Sequence, residues 1–245
     1  MSKITMIFGD CMKYMAGLDE DTFDLAIVDP PYGIGADNFS NGENKNRNDG
    51  FNRGESSAKR IKNRLNRGGG KLKNRLLNNS NCSWDEAPSS EYFTVLFKIS
   101  NNQIIWGGNY FNLPPSRGFV CWDKCQPWEN FSQFELAWTS FDKPAAMFKY
   151  SNTGGANRER KIHPTQKPVA LYKWLLQKYS KDSPTILDTH GGSGSIAIAC
   201  ISSGFDLVWI EKCEDYYRSA VDRVRRYNAQ LDMFRNQAEI VEVAQ

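Results

Sequence analysis

From Thr185 the chain reads TILDTHGGSGSIAIACISSGFDLVWIEKCEDYYRSAVDRVRRYNAQL. An apolar run ends in an acid, and a glycine-rich turn opens a helix of small residues. A second apolar run ends in another acid and leads into a helix with Tyr217, Val221, Val224, Tyr227 and Leu231 at helical spacing. Strands that are apolar throughout must be covered on both faces. Crossover helices between parallel strands supply that cover. ITMIFGD (Ile4–Asp10) and TFDLAIVDPPYG (Thr22–Gly33) repeat the pattern of an apolar strand ending in an acid. The expectation is an α/β fold built on a doubly wound, mostly parallel sheet, with all 245 residues in one domain. SSEYFTVLFKIS predicts a helix and QIIWGGNYF a strand. GFVCWDK and FELAWTSF predict an antiparallel pair, and HPTQKPVALYKWLLQKYS predicts turns followed by a helix from about Val169.

One segment breaks the alternation. Residues 36–82 hold 12 asparagines and 11 Lys/Arg against 4 Asp/Glu, a balance of +7, while the rest of the chain carries −4. Such a stretch buries too little apolar surface to offset its ordering entropy. It is expected to be a flexible basic surface insertion, with a short helix near Ala58–Leu65. No run approaches the ~18 apolar residues of a membrane span. The N-terminus lacks the long apolar core of a secretory leader. The six cysteines and two histidines show no zinc-like spacing, so no metal is expected. Free thiols in the cytoplasm are the reading that follows.

In sheets of this kind ligands bind beyond the carboxyl ends of the strands. Asp10, Asp29, Asp188 and Glu211 stand there. After Asp188, glycines at 191, 192 and 194 allow a tight turn whose N–H groups approach a ligand closely. Glu211 ends the next strand, where a carboxylate can accept from ribose hydroxyls. These features point to an adenosine-containing cofactor, and a nicotinamide oxidoreductase satisfies them as well.

Asp29-Pro30-Pro31-Tyr32 narrows the choice. Two prolines fix φ and remove two backbone donors. The Asp29 carboxylate and the Pro30 carbonyl are left as neighbouring acceptors on a rigid rim. Paired acceptors suit an exocyclic –NH2 group, and Tyr32 offers a face on which a planar ring can stack. The combination reads an aminated base taken out of a helix.

The tetrapeptide, the glycine turn after Asp188 and the run His163-Pro164-Thr165-Gln166-Lys167-Pro168 together resemble the amino-methylating DNA methyltransferases. The order, tetrapeptide first and glycine turn last, resembles the permuted β class of that family. The resemblance implies a Rossmann-like methyltransferase fold, S-adenosylmethionine as cofactor and double-stranded DNA as substrate. It implies that Asp29 and Pro30 hold the target amine, with Pro31 stiffening the rim and Tyr32 stacking on the base. Asp188, Gly191, Gly192 and Gly194 would line the methionine end of the cofactor. Glu211 would take the ribose, Asp10 the adenine amine, and His163 to Pro168 would close over the cofactor. An aspartate in first position leans towards adenine N6, with cytosine N4 or an RNA amine as the alternative.

Two departures stand out. The family usually has Pro-Phe where this chain has Thr189-His190. Its target-recognition region usually precedes the His-Pro motif, where Asp142 to Ile162 leaves only about 20 residues. The basic insertion sits beside Tyr32 instead, and Arg60, Lys62, Arg64 and Arg67 are its densest candidates for DNA phosphate contacts. A homodimer, a cognate restriction endonuclease and a nucleoid location are compatible with the resemblance.

Overall fold

The computed structural model describes residues 2–34, 85–126, 132–151, 161–180, 184–230 and 237–245. The insertion 36–82, with its expected helix, lies outside them. The described strands are β1 (Ser2–Phe8), β2 (Phe23–Val28), β3 (Ser100–Trp106), β4 (Phe119–Asp123), β5 (Phe134–Thr139), β6 (Ala146–Lys149), β7 (Thr185–Asp188), β8 (Asp206–Glu211) and β9 (Ala238–Ala244). The helices are α1 (Cys11–Met15), α2 (Ser90–Ile99), α3 (Val169–Tyr179), α4 (Ser195–Ser203) and α5 (Glu214–Asn228).

The strands form one sheet in the order β6-β4-β5-β3-β2-β7-β8-β1-β9. Every pairing from β3 across to β9 is parallel. Strand β5 is antiparallel to both β3 and β4, and β6 is parallel to β4. The doubly wound, mostly parallel sheet expected from the sequence is therefore present, as is the antiparallel β4–β5 pair.

Alternation along each strand feeds two cores. Leu25 and Ile27 of β2 face the cluster shared with Leu171 and Leu175 of α3, Ile198 of α4 and Val221 of α5. Ala26 and Val28, one residue out of phase, face Met15 of α1 and Tyr92, Phe93 and Leu96 of α2. Helices thus cover both faces, which is why β2 is apolar at consecutive positions. Among the described residues no helix is long and apolar enough to cross a membrane.

Cys11, Cys121, Cys125 and Cys200 carry free thiols, as expected, whereas Cys213 is disulfide-bonded.

Candidate functional site

Strands β2 and β7 are neighbours although they are distant in sequence. The chain leaves β2 towards β3 on one side and leaves β7 towards β8 on the other. This reversal opens a crevice at the carboxyl ends of the two strands. Asp29 directly follows β2, Asp188 closes β7, Glu211 closes β8 and Asp10 follows β1. Because these strands are parallel neighbours, the four acids share one rim.

The four differ in what holds them. Asp10 is exposed and caps α1, its Oδ1 accepting from Met12 N (2.8 Å) and Lys13 N (3.3 Å). Glu211 is buried and accepts from Gly192 N through Oε2 (2.9 Å) and from Cys213 N through Oε1 (2.8 Å). Burial raises its pKa, and those two N–H groups oppose the rise. Asp188 is buried and accepts from His190 N (3.1 Å). Burial pushes its carboxyl up to about 8, with Asp29 and Glu211 adding to the rise.

The glycine turn has the tight geometry its residues predict. Gly192 and Gly194 are left-handed, at φ 52° and 70°. Gly191 is required for a different reason. A Cβ there would lie 1.9 Å from Cε2 of the buried Trp209, and Gly191 N donates to Ile210 O at 2.9 Å. The turn is thereby pressed onto β8. Arg223 of α5 braces it from behind, donating to Ser193 O (2.7 Å) and Ser195 Oγ (3.0 Å).

Thr189-His190, the departure from the family pattern, is accommodated by a row of hydrogen bonds. The Thr189 hydroxyl lies 2.6 Å from the Tyr92 hydroxyl and 2.9 Å from His190 Nδ1. The His190 ring meets the Tyr92 ring edge-on at 5.3 Å. Burial, with Lys212 contributing, pushes His190 down to about 3, so it is neutral at pH 7.

Around Asp29 the structure adds partners the sequence does not announce. Tyr32 donates its hydroxyl to Asp29 Oδ1 at 2.8 Å. Its ring packs on Gly107, where a Cβ would come within 2.2 Å of it, and stacks on Tyr110 at 4.8 Å and 16°. Lys167 donates to Asp29 Oδ2 and lies 3.2 Å from Glu135 Oε2. Lys124 lies 2.6 Å from Glu135 Oε1. Burial alone would lower the pKa of Lys167, but Asp29 and Glu135 reverse the effect and hold it above the ordinary value. Burial would likewise raise Glu135, but Lys167 and Lys124 hold it below.

The segment from His163 to Pro168 is a rigid turn. Gln166 N donates to His163 O (3.2 Å), and Gln166 Oε1 accepts from Ile162 N (3.0 Å). Pro168 then caps α3 at φ −66°. Nδ1 of His163 faces the Thr165 hydroxyl at 3.1 Å, and its ring lies 3.7 Å from the position of a Gly192 Cβ. Burial, with Lys167 contributing, pushes His163 down to about 3. Pro164 is half-buried and Thr165 is exposed. The run therefore touches both halves of the crevice, His163 at the glycine turn and Lys167 at Asp29. Arg60, Lys62, Arg64 and Arg67 lie outside the described residues.

Glu135 and Lys124 are the site residues that sequence reasoning misses. The available signal is an acid at the second position of the apolar strand FELAWT and a lysine directly after FVCWD.

Residues 103–222 match the family model described as DNA methylase. The match spans β3 to α5 and includes the His-Pro run, the glycine turn and Glu211. The type II methyltransferase M.HpaI of Haemophilus parainfluenzae is 23% identical over 251 residues, covering 89% of this chain and 73% of its own length. Among solved structures, the PvuII DNA methyltransferase, titled cytosine-N4-specific, aligns at TM-score 0.55 and 13% identity, over 95% of this chain and 88% of that one. TTHA0409 of Thermus thermophilus aligns at TM-score 0.50 and 13% identity, over 99% and 100%. The last two likenesses concern the fold, which is the Rossmann-like fold of methyltransferases. The matched family model falls on the glycine turn, the His-Pro run and the rim acid Glu211, and together with the likeness to M.HpaI it supports an amino-methylating DNA methyltransferase.

Proposed function

We infer that the protein transfers a methyl group from S-adenosylmethionine to the N6 amine of an adenine flipped out of double-stranded DNA. The observation that carries this reading is the adjacency of Asp29 and Asp188 across the β2–β7 switch point. An acceptor for an amine stands beside a buried acid.

The residues present fit the cofactor. A cationic ligand suits Asp188, whose burial leaves it protonated at neutral pH in its absence. The glycine turn lets backbone approach closely, and Glu211 retains lone pairs beyond its two backbone bonds for a ribose. Asp10 and His163, whose ring faces the glycine turn, complete the set. When bound, S-adenosylmethionine supplies an activated methyl group.

The chain's own groups then act on the base. An aromatic amine is a poor nucleophile because its lone pair is delocalised into the ring. Asp29 and the Pro30 carbonyl accept its two N–H bonds and favour the pyramidal geometry that aims the lone pair outward. The nitrogen gains the methyl group and loses one proton. Tyr32 fixes the carboxylate through its hydroxyl, and its acceptance of a parallel ring at 4.8 Å supports a stacking role towards the base. Much of the rate comes from this positioning. Asp29 is only partly exposed beneath the rim, so the base must leave the duplex to reach it.

Cofactor binding is expected to depend on pH in a definite direction. Below about pH 8 the unliganded Asp188 is protonated, and a bound cation favours its carboxylate. Binding then releases a proton, so affinity rises with pH, by at most about tenfold per unit, and levels off above pH 8. Calorimetry in buffers of differing ionisation enthalpy counts that proton. Asp188→Asn should flatten the dependence.

The insertion 36–82 is proposed to contact DNA phosphates. Replacing Arg60, Lys62, Arg64 and Arg67 by alanine should flatten the plot of log K against log salt by ~3–4, one contact per residue. Cofactor affinity should hold. An unchanged slope would remove the segment from the interface.

The reaction itself is tested with methyl-labelled cofactor and DNA from a methylation-free host, followed by digestion to nucleosides. Label in N6-methyladenosine is the expected result. Label in N4-methylcytidine would overturn the choice of base and keep the amine chemistry.

A further inference from the structure

The geometry points to Lys167 and Glu135 as positioning residues for Asp29. In this proposal Lys167 serves the amine site, and Glu135 receives its ammonium when the target amine arrives. The inference rests on reading Asp29 as the amine acceptor.

Both oxygens of Asp29 are engaged, Oδ1 by the Tyr32 hydroxyl and Oδ2 by Lys167. An entering amine therefore meets a carboxylate already holding an ammonium. Once methylated, that amine is itself cationic until it loses its proton. Two cations on one carboxylate oxygen repel each other. Lys167 has little access to water, since its side chain is 2% exposed and its Nζ lies 5.0 Å from the centre of the Trp106 ring. Glu135 Oε2, 3.2 Å away, is the acceptor within reach. Its other oxygen is fixed by Lys124 at 2.6 Å, so it can take the ammonium without turning. The backbone cannot carry Lys167 elsewhere, because it lies between the Gln166 turn and Pro168. The arrangement is a buried ammonium between two carboxylates, one facing the base and one anchored behind it.

The test compares Lys167→Met, Lys167→Arg, Glu135→Gln and the Met/Gln double variant in the full chain. Single-turnover methylation of DNA from a methylation-free host is followed at saturating cofactor. Cofactor affinity is measured by calorimetry, and melting curves check folding. Lys167→Met and Glu135→Gln should each slow transfer about tenfold to a hundredfold, as expected for a misplaced reacting group. Cofactor Kd should stay within about twofold, the residues being on the amine side of the crevice. Lys167→Arg should recover part of the rate. The double variant should be no slower than Lys167→Met, because Glu135 acts through the ammonium.

If Lys167→Met weakens cofactor binding about tenfold or more and leaves the saturated rate unchanged, Lys167 belongs to the cofactor closure and the proposal falls. Multiplying defects in the double variant would show that Glu135 acts by another route. Should Lys167→Met fail to fold, the near-isosteric Glu135→Gln decides, and an unchanged rate overturns the proposal. Turnover by Asp29→Ala would instead defeat the underlying reading of the amine site, whatever the lysine does.

Discussion

Asp29→Ala will abolish methyl transfer while leaving cofactor affinity within a few fold. The carboxylate stands after β2, on the side of the crevice that faces Tyr32 and Lys167. The glycine turn lies across the β2–β7 boundary, and its hydrogen bonds run to Glu211, Ile210 and Arg223. None of these passes through Asp29. Losing one preorganised electrostatic contact to a transition state costs about 10²–10³ in rate. In the proposed mechanism the same residue is also the acceptor that orients the amine, so the loss should be at least of that order. The variant should fold, because Lys167 keeps Glu135 as a partner and Tyr32 keeps its stack on Tyr110. Turnover measured beside calorimetric cofactor binding checks both halves of the expectation. Substantial turnover would remove Asp29 from the chemistry.

Gly191→Val will cost both the cofactor and part of the fold's stability. The first added carbon already falls 1.9 Å from Trp209 Cε2 and 2.0 Å from its Nε1. Trp209 is fully buried in the middle of β8, so the ring cannot step aside. The turn must lift, and the bond from Gly191 N to Ile210 O is lost with it. Forced overpacking of this kind costs about 1–3 kcal/mol. A turn lifted off the rim should lose about tenfold to a hundredfold in cofactor affinity, the equivalent of ~1.4–2.8 kcal/mol. Gly192→Ala is the control. Its Cβ would meet the His163 ring at an ordinary 3.7 Å, leaving only the strain of φ 52°, worth ~1–2 kcal/mol. Gly191→Val should therefore be the more damaging to cofactor binding. Equal affinities would show that contact with Trp209 does not set the turn.

Much of the fold was legible because burial on two faces writes itself into every residue of a strand. The runs ending at Asp29, Asp188 and Glu211 read as strands, and the acids read as a rim, from residue order alone. Two strands left weaker marks. AMFK in β6 is four residues at a sheet edge, and AEIVEVA in β9, on the opposite edge, is interrupted by Glu239 and Glu242. An edge strand needs less apolar sequence than a central one, so its pattern is fainter.

The site was legible by residue type and less so by partner. Nothing local to HPTQKP says that Lys167 meets Asp29, 138 positions earlier. The pairing depends on β5 bringing Glu135 beside it. Thr189-His190 looks anomalous in sequence, yet Tyr92 of α2, 97 positions away from Thr189, supplies the hydroxyl that accommodates it. Contacts of this range are set by the order of strands and not by the motifs the strands carry.

If this rim methylates an exocyclic amine in DNA, a host genome records it. The most direct measurement expresses the wild-type chain and Asp29→Ala in a host without DNA methylation and maps modified bases across the genome. N6-methyladenine is expected at a recurring sequence with the wild-type chain and none with the variant. An unmodified genome under the expressed, folded wild-type protein, or equal modification by the variant, would contradict that expectation.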